Sequence, residues 1–400
     1  MKDKVYEDKL ICGIIRARKQ GGIMEPIEAG QVVLKKLNEA GFEAYFVGGM
    51  VRDQLLGRPL CDIDVTTSAT PEIVQTLFEK TYATGLAHGT VTVMINDIPV
   101  EVTTYRVDGK YLDYRHPEQV VFTSSLVEDL QRRDFTINAM AMDLRGELCD
   151  PLGGLEDLKA KIIRAAGVAR NRFLEDPLRM IRAIRFVSKL GFDLEPDTYK
   201  AIKEQHDLLA HLAKERIKKE VEGIMTGSYR DQALKLLFAT NLLDELMLSK
   251  YESYSFTSLN QGLDFFVLAS LEVLDVKSFL DQWPFSRTEK KFIQIINELF
   301  RTHPHGLIVQ YRYGVEVAAL YQRLYCFLSQ KHEEFVPAQL VIQNRQELAL
   351  AVPDILALTK QQVGPWIGEL LEQVETAVVL GNLANDREQI LEFIREQGIL

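Results

Sequence analysis

Apolar residues recur every three to four positions from residue 26 to about residue 40, at Ile27, Val32, Val33, Leu34 and Leu37, and Gly41 follows them. That spacing predicts a helix closed by a glycine cap. The texture then changes. Residues 44–47, 63–67, 90–95, 100–105 and 137–143 are short, rich in β-branched side chains and alternate in polarity, with Gly, Pro, Asn and Asp at their ends. Each reads as a strand, and Asn96-Asp97 between two of them reads as a hairpin turn. Roughly five strands with intervening helices predict an α+β domain that ends near Gly153-Gly154.

Beyond Leu155 the period becomes helical. Residues 172–190, 196–212, 214–226, 231–246 and 320–330 all carry apolar side chains at 3.6-residue spacing, and strand signals nearly vanish. Gly364-Pro365-Trp366-Ile367-Gly368 and Gly381-Asn382 punctuate an amphipathic helix near the end. The apolar run at residues 10–15 is broken by Cys12 and Gly13 and followed by Arg16, Arg18 and Lys19, too short a pattern for a signal peptide. Met24 stands just before the first helix as an alternative start, which makes residues 1–23 an N-terminal extension.

With 400 residues, 46% hydrophobic and 26% charged, the chain is expected to fold into several globular domains rather than stay disordered. No stretch approaches the roughly 20 apolar residues that span a bilayer. Cys12, Cys61, Cys149 and Cys326 are scattered, with no zinc-like spacing, which points to a reducing cytoplasm. The net charge of −10 argues at first against a nucleic-acid partner. Divided along the chain, the charge says otherwise: residues 159–220 hold 15 basic and 9 acidic side chains, while 1–158 hold 17 and 25 and 221–400 hold 15 and 23. The acidic total conceals one basic segment suited to a local, salt-sensitive phosphate contact.

The sharpest motif is Phe46-Val47-Gly48-Gly49-Met50-Val51-Arg52-Asp53, followed by Cys61-Asp62-Ile63-Asp64-Val65-Thr66-Thr67. Two carboxylates two residues apart on a strand leave the same face, where Asp62 and Asp64 can share divalent cations with phosphate oxygens. Gly48 and Gly49 offer a strand-to-helix turn whose backbone N–H groups can meet a triphosphate, and Arg52 adds charge in the first turn. Glu101, on the neighbouring predicted strand, is a third carboxylate of the metal site, a base for an attacking hydroxyl, or a plain exposed strand residue. Residues 106–119 are polar and read as a loop beside the site. In Arg132-Arg133-Asp134-Phe135-Thr136-Ile137-Asn138, Arg133 can reach phosphate or base while Asp134 and Asn138 fix it.

A second strong element is Glu175-Asp176-Pro177-Leu178-Arg179-Met180-Ile181-Arg182-Ala183-Ile184-Arg185, which reads as a helix start followed by an arginine strip. A fixed carboxylate accepts from the amino group of cytosine or adenine while a guanidinium donates to the ring acceptors. Uracil and guanine offer the reverse pattern. Asp176 with Arg179 is therefore a pair able to choose C and A without a template. His206-Asp207, with His211 nearby, lacks the distributed partners of a second metal site and reads as a surface pair.

Taken in order, GGMVRD, DIDVTT, EVTTYR, RRDFTINAMAMD, DPLGGLEDL, EDPLRMIRAIRF and, more loosely, ERIKKE resemble the class II tRNA nucleotidyltransferases, specifically the short Firmicutes-type bacterial CCA-adding enzymes of the polymerase β-like superfamily. The resemblance implies a catalytic head at 24–154, a helical neck at 155–226, a body at 227–340 and an RNA-binding tail at 341–400. It implies addition of C, C and A to tRNA lacking its 3′ CCA, from CTP and ATP, by attack of the RNA 3′-hydroxyl on the α-phosphate with two Mg²⁺ ions and release of pyrophosphate. Carried over by position, Asp62 and Asp64 hold metal, Gly49 and Arg52 meet the triphosphate, and Arg133, Asp176, Arg179, Arg182 and Arg185 bind the incoming nucleotide. Family members are sometimes dimeric, so a homodimer is compatible. The rival readings are enzymes that add only CC, only A or a poly(A) tail, and a catalytically silent RNA-binding protein. Retention of the polar segment 108–119 favours full CCA addition over CC addition.

Overall fold

A computed structural model describes residues 24–60, 62–108, 120–246, 248–359 and 362–396. The chain divides between Glu245 and Leu246 into two compact units. In the first, helix α1 (Pro26–Glu39) opens with Pro at its first turn and buries Ala29, Gly30, Val33, Leu34 and Leu37. Gly30 is required by close approach, since a Cβ there would lie 2.5 Å from the Phe46 ring. α1 thus lies flat on the sheet formed next.

The strands are β1 (Ala44–Val47), β2 (Asp64–Thr67), β3 (Thr81–Gly85), β4 (Thr90–Ile95), β5 (Ile98–Thr104), β6 (Arg106–Asp108), β7 (Val120–Phe122), β8 (Ala141–Met142) and β9 (Leu148–Cys149). Seven of them form one sheet in the order β3-β4-β5-β2-β1-β8-β9, and β6 pairs with β7 apart from it. All neighbours in the large sheet are antiparallel except β2 and β5. The β4–β5 turn forms as expected, with Asn96 and Asp97 both at positive φ.

The sheet has more strands than the five expected, because β3 is largely polar and β9 only two residues long, so neither carries much period-2 signal. Residues 137–143 do not form one strand. Residues Thr136–Asn138 make a single 3-10 turn and only Ala141–Met142 pair with a neighbour. The physical cause is local: Asn138 N and Ala139 N donate back to Phe135 O and Thr136 O at 2.9 Å each. Residues 109–119, most of the expected polar loop, and residues 1–23 fall outside the described residues.

Helices α2 (Gly49–Leu55), α3 (Pro71–Leu77), α4 (Leu126–Gln131) and α5 (Gly154–Ala160) complete the sheet region. The expected helix over 172–190 is two helices, α6 (Ala169–Glu175) and α7 (Leu178–Leu190), broken where Asp176 adopts an extended conformation before Pro177. Helices α8 (Pro196–Gln205), α9 (Lys214–Met225) and α10 (Arg230–Ala239) follow. Positive φ at Asn241 and Leu243 stops α10 short of the expected residue 246. Small strands Ile162–Ile163 and Asp193–Leu194 pair in parallel within this otherwise helical region.

The second unit is helical, running from Gly262–Ser270 through Arg287–Thr302 and Val315–Ser329 to Pro365–Val379 and Arg387–Glu396. Its last section has its own core, in which Ile342, Ile355, Val374, Val378, Ile390 and Ile394 are fully buried. Arg345 grips Glu375 with Nε and Nη2, each at 2.8 Å, and Tyr311 donates to the same carboxylate at 2.9 Å. No described helix is long and apolar enough to cross a membrane.

Candidate active site

Parallel pairing of β2 with β5 sets Asp64 opposite Glu101 in register. Directly paired residues share a face, so the two carboxylates stand side by side. Asp62 lies just before β2 and is exposed. Burial, then the Glu101 charge, pushes Asp64 up to about 6, with Asp62 adding to the rise and Arg133 opposing it. Crowded carboxylates with too little compensating charge form a cation-seeking surface whose donors are all oxygen, the preference of Mg²⁺. Among the described residues no group of three or more His, Cys, Asp or Glu makes a ready cage. Further ligands for an ion at Asp62 and Asp64 therefore fit the oxygens of a bound phosphate.

The glycine turn comes next. Gly48 has φ 72° and ψ −134°, a conformation for which a side chain is strained. A Cβ at Gly48 would also sit 3.1 Å from Arg133 Nη1 and 3.8 Å from Asp64 Oδ2. The turn, Asp64 and Arg133 therefore meet at one point, with the N-terminus of α2 beginning at Gly49. Arg52, expected to face phosphate, is instead buried and directed inward. Its Nε and Nη2 donate to Asp53 at 2.9 Å each, and Nη1 donates to Asn138 Oδ1 at 2.5 Å. In this arrangement it ties α2 to the Thr136–Asn138 turn.

Arg133 donates from Nη2 to Asp129 Oδ2 at 3.1 Å, while its buried Nε has no partner among the described residues. Asp129 also accepts from Arg132, twice, and from Thr66 Oγ1. Burial alone would raise its carboxyl, but the Arg133 and Arg132 charges hold it below the usual range. Asp134, the chain neighbour of Arg133, is matched in the same way by other groups. Against its burial, Arg182 and Asn138 hold its pKa down to about 2. Arg182 donates to Asp134 Oδ2 from Nε and Nη2 at 3.0 and 2.6 Å.

Arg182 and Arg185 occupy successive turns of α7, and Arg185 Nε donates to Glu220 Oε2 at 2.5 Å. Between them lies the buried Phe186. Its ring centroid is 5.2 Å from the Arg52 guanidinium, 5.2 Å from that of Arg185 and 5.7 Å from that of Arg182. Phe135 meets the same ring edge-on at 5.6 Å. One aromatic ring therefore joins the arginine of the glycine turn to the arginine strip of α7.

Asp176 lies on extended backbone just before α7, and Arg179 lies within that helix. The carboxylate of Asp176 accepts from Leu178 N at 3.1 Å and from Arg216 Nη2 at 2.9 Å. Arg179 is buried, donating to Glu175 Oε2 at 2.6 Å and to the carbonyls of Arg172 and Arg132 at 3.1 Å each. The two remain next to each other through the backbone, with Arg179 N on Asp176 O at 3.0 Å. Asp129, Glu175, Arg216, Glu220 and Phe186 were not singled out in the sequence. Asp129 reads there as an ordinary first-turn acid, and the others as charged or apolar helix positions. His206 bonds the Lys203 carbonyl and pairs with Asp207 on the surface.

Three family models match: the poly A polymerase head domain over residues 44–164, a probable RNA- and SrmB-binding site of polymerase A over 191–249, and a putative tRNA nucleotidyltransferase domain 2 over 257–394. The CCA-adding enzyme of Bacillus mycoides is 38% identical over 94% of this chain and 100% of its own length. A CCA-adding enzyme of Bacillus stearothermophilus, solved in complex with CTP, superposes with a TM-score of 0.76 at 35% identity over 94% of this chain and 98% of that one. The Thermotoga maritima CCA-adding enzyme, solved with a tRNA, shares the fold at a TM-score of 0.65 and 19% identity over 97% and 98% of the two chains. By identity across nearly its whole length, this chain belongs to the CCA-adding enzyme family and is a tRNA nucleotidyltransferase.

Proposed function

We propose that the protein adds C, C and A to the 3′ end of tRNA lacking that sequence, taking CTP and ATP in turn without a template. The observation that carries the reading is the meeting of Gly48, Asp64 and Arg133 at the N-terminus of α2, beside Asp134 and the α7 arginines. Backbone donors and Arg133 suit a triphosphate, and the carboxylates beside them suit the reacting end. The relative solved with CTP and the one solved with a tRNA support the corresponding substrates.

In this reading the RNA 3′-hydroxyl attacks the α-phosphorus, the bond to the β-phosphate oxygen breaks and pyrophosphate leaves. Asp62 and Asp64 would hold Mg²⁺, and a bound ion there would supply positive charge to the reacting phosphate. Burial, and after it the Glu101 charge, keeps Asp64 proton-prone until cationic charge arrives, and Glu101 stands within the same face as a candidate acceptor for the hydroxyl proton. Gly49 presents backbone N–H to phosphate, Arg133 binds the nucleotide, and Arg52 holds the turn. Asp176 and Arg179 read the base edge, while Arg182 and Arg185 set the field along α7. Segments 155–226, 227–340 and 341–400 serve as neck, body and RNA-binding tail.

Incubating tRNA that ends before CCA with CTP, ATP or both and sequencing the 3′ ends tests the reading. CC with CTP alone and CCA with both is expected. Addition of A alone, CC alone in the presence of both nucleotides, or a homopolymer on any RNA would replace it by the corresponding rival.

A further inference from the structure

The in-register pairing that sets Asp64 beside Glu101 continues outward. Glu101 pairs with Thr92 on β4, and Thr92 pairs with Tyr82 on β3. Directly paired side chains share a face, so Asp64, Glu101, Thr92 and Tyr82 form one row across the sheet. At about 4.8 Å between strands, Tyr82 lies about 14 Å from Asp64. β3 is the edge of the sheet, and its five residues, Thr81–Gly85, include no charge. Tyr82 is 51% exposed.

The floor between the two ends is lined by hydroxyls. Thr84 and Thr92 share a hydrogen bond at 2.8 Å, and Thr90 and Thr103 share one at 3.0 Å. The row thus has a carboxylate end where phosphoryl transfer takes place, a neutral polar floor, and an exposed aromatic ring at the far end. An exposed tyrosine on an edge strand weakens solubility without adding to the core. A flat ring beside hydroxyls that leads to a nucleotidyl-transfer centre fits a single-stranded nucleic acid, whose bases stack on aromatics regardless of sequence.

We propose that Tyr82 is the stacking platform for the RNA acceptor strand, holding a base a few nucleotides upstream of the reacting 3′-hydroxyl while the hydroxyl lies at Asp64. This rests on tRNA being the substrate. The ring acts on the RNA and not on the incoming nucleotide, whose groups gather at the Gly48 turn and α7 on the other side of Asp64. Sequence-tolerant stacking suits an acceptor end that changes with each added residue.

The test compares Tyr82→Phe, Tyr82→Ala and Tyr82→Val in the full chain, with KM measured separately for tRNA lacking CCA and for CTP. The Ala and Val variants are expected to raise KM for tRNA about tenfold and leave KM for CTP within twofold of the parent, and the Phe variant to stay near the parent. Val preserves strand propensity, so a loss seen with Ala but not Val means that the edge strand and not the ring was disturbed, and overturns the inference. Equal KM for tRNA in all variants overturns it too. A parent that extends no tRNA instead removes the functional reading beneath it, which the sequencing of extended 3′ ends reports independently.

Discussion

Asp64 and Glu101 are register partners on β2 and β5, the only parallel neighbours among the described strands of the seven-stranded sheet. Burial, together with the nearby Glu101 charge, leaves Asp64 protonating near 6 instead of near 3.8. Between those values the folded protein binds more protons than the unfolded chain, so this group makes stability fall as pH rises from about 4 to about 6 and level off above. Asp64→Asn is therefore expected to raise the melting temperature by a few degrees at pH 7.5 without divalent cation, and to change it little at pH 4. Thermal melts at the two pH values check this. An equal shift at both would mean that the charge is not what Asp64 contributes.

A side chain at Gly48 would crowd the Arg133 guanidinium and has no comfortable backbone. Gly48→Ala is expected to cost about 1–3 kcal/mol of stability through its φ of 72° and to displace Arg133, whose Nη1 lies 3.1 Å from the added carbon. Incorporation of CTP should drop by at least about tenfold, since Arg133 and the backbone donors lose their common geometry. Denaturant melts and single-turnover incorporation separate the two effects. Unchanged incorporation with lowered stability would show that the turn serves the fold alone.

Base choice is expected to depend on a residue outside the reading pair. Asp176→Ala should admit UTP and GTP more than it slows addition of C and A, because the amino-group acceptor is removed. Arg216 holds the same carboxylate at 2.9 Å. Arg216→Ala should relax selection in the same direction by a smaller factor, and Arg216→Lys should restore some of it. Arg179→Ala should also destabilise the fold, since Arg179 is buried on Glu175 and two carbonyls. The ratio of kcat/KM for CTP to that for UTP is the measurement, and a ratio unchanged in Asp176→Ala rejects protein-templated selection.

Phe186 gathers three guanidiniums around one ring. Phe186→Leu keeps most of the apolar volume and removes the π face, each lost contact being worth about 0.5–2 kcal/mol. It is expected to raise KM for CTP and ATP together by several-fold while changing KM for tRNA less. A purely structural role predicts a lower melting temperature with unchanged KM values.

The division into an α+β region and a long helical remainder was legible in the chain because period-2 and period-3.6 patterns depend only on neighbours along the sequence. So were the Asp62/Asp64 spacing, the Gly48-Gly49 turn and the arginine strip of α7. The weak strands β3 and β9 were not, since they are held by pairing to partners distant in sequence and carry little pattern of their own.

The sequence by itself also singled out the candidate side chains, because residue type and local spacing suffice to mark paired carboxylates, a glycine turn and an acid beside an arginine. Only the tertiary structure decided their partners. It turned Arg52 inward onto Asp53 and Asn138, set Asp176 outside the helix that carries Arg179, and made Asp129 the anchor of Arg132 and Arg133. The physical reason is that buried charges must be matched. The matching groups come from segments tens of residues away, so register and packing choose them where no local pattern can.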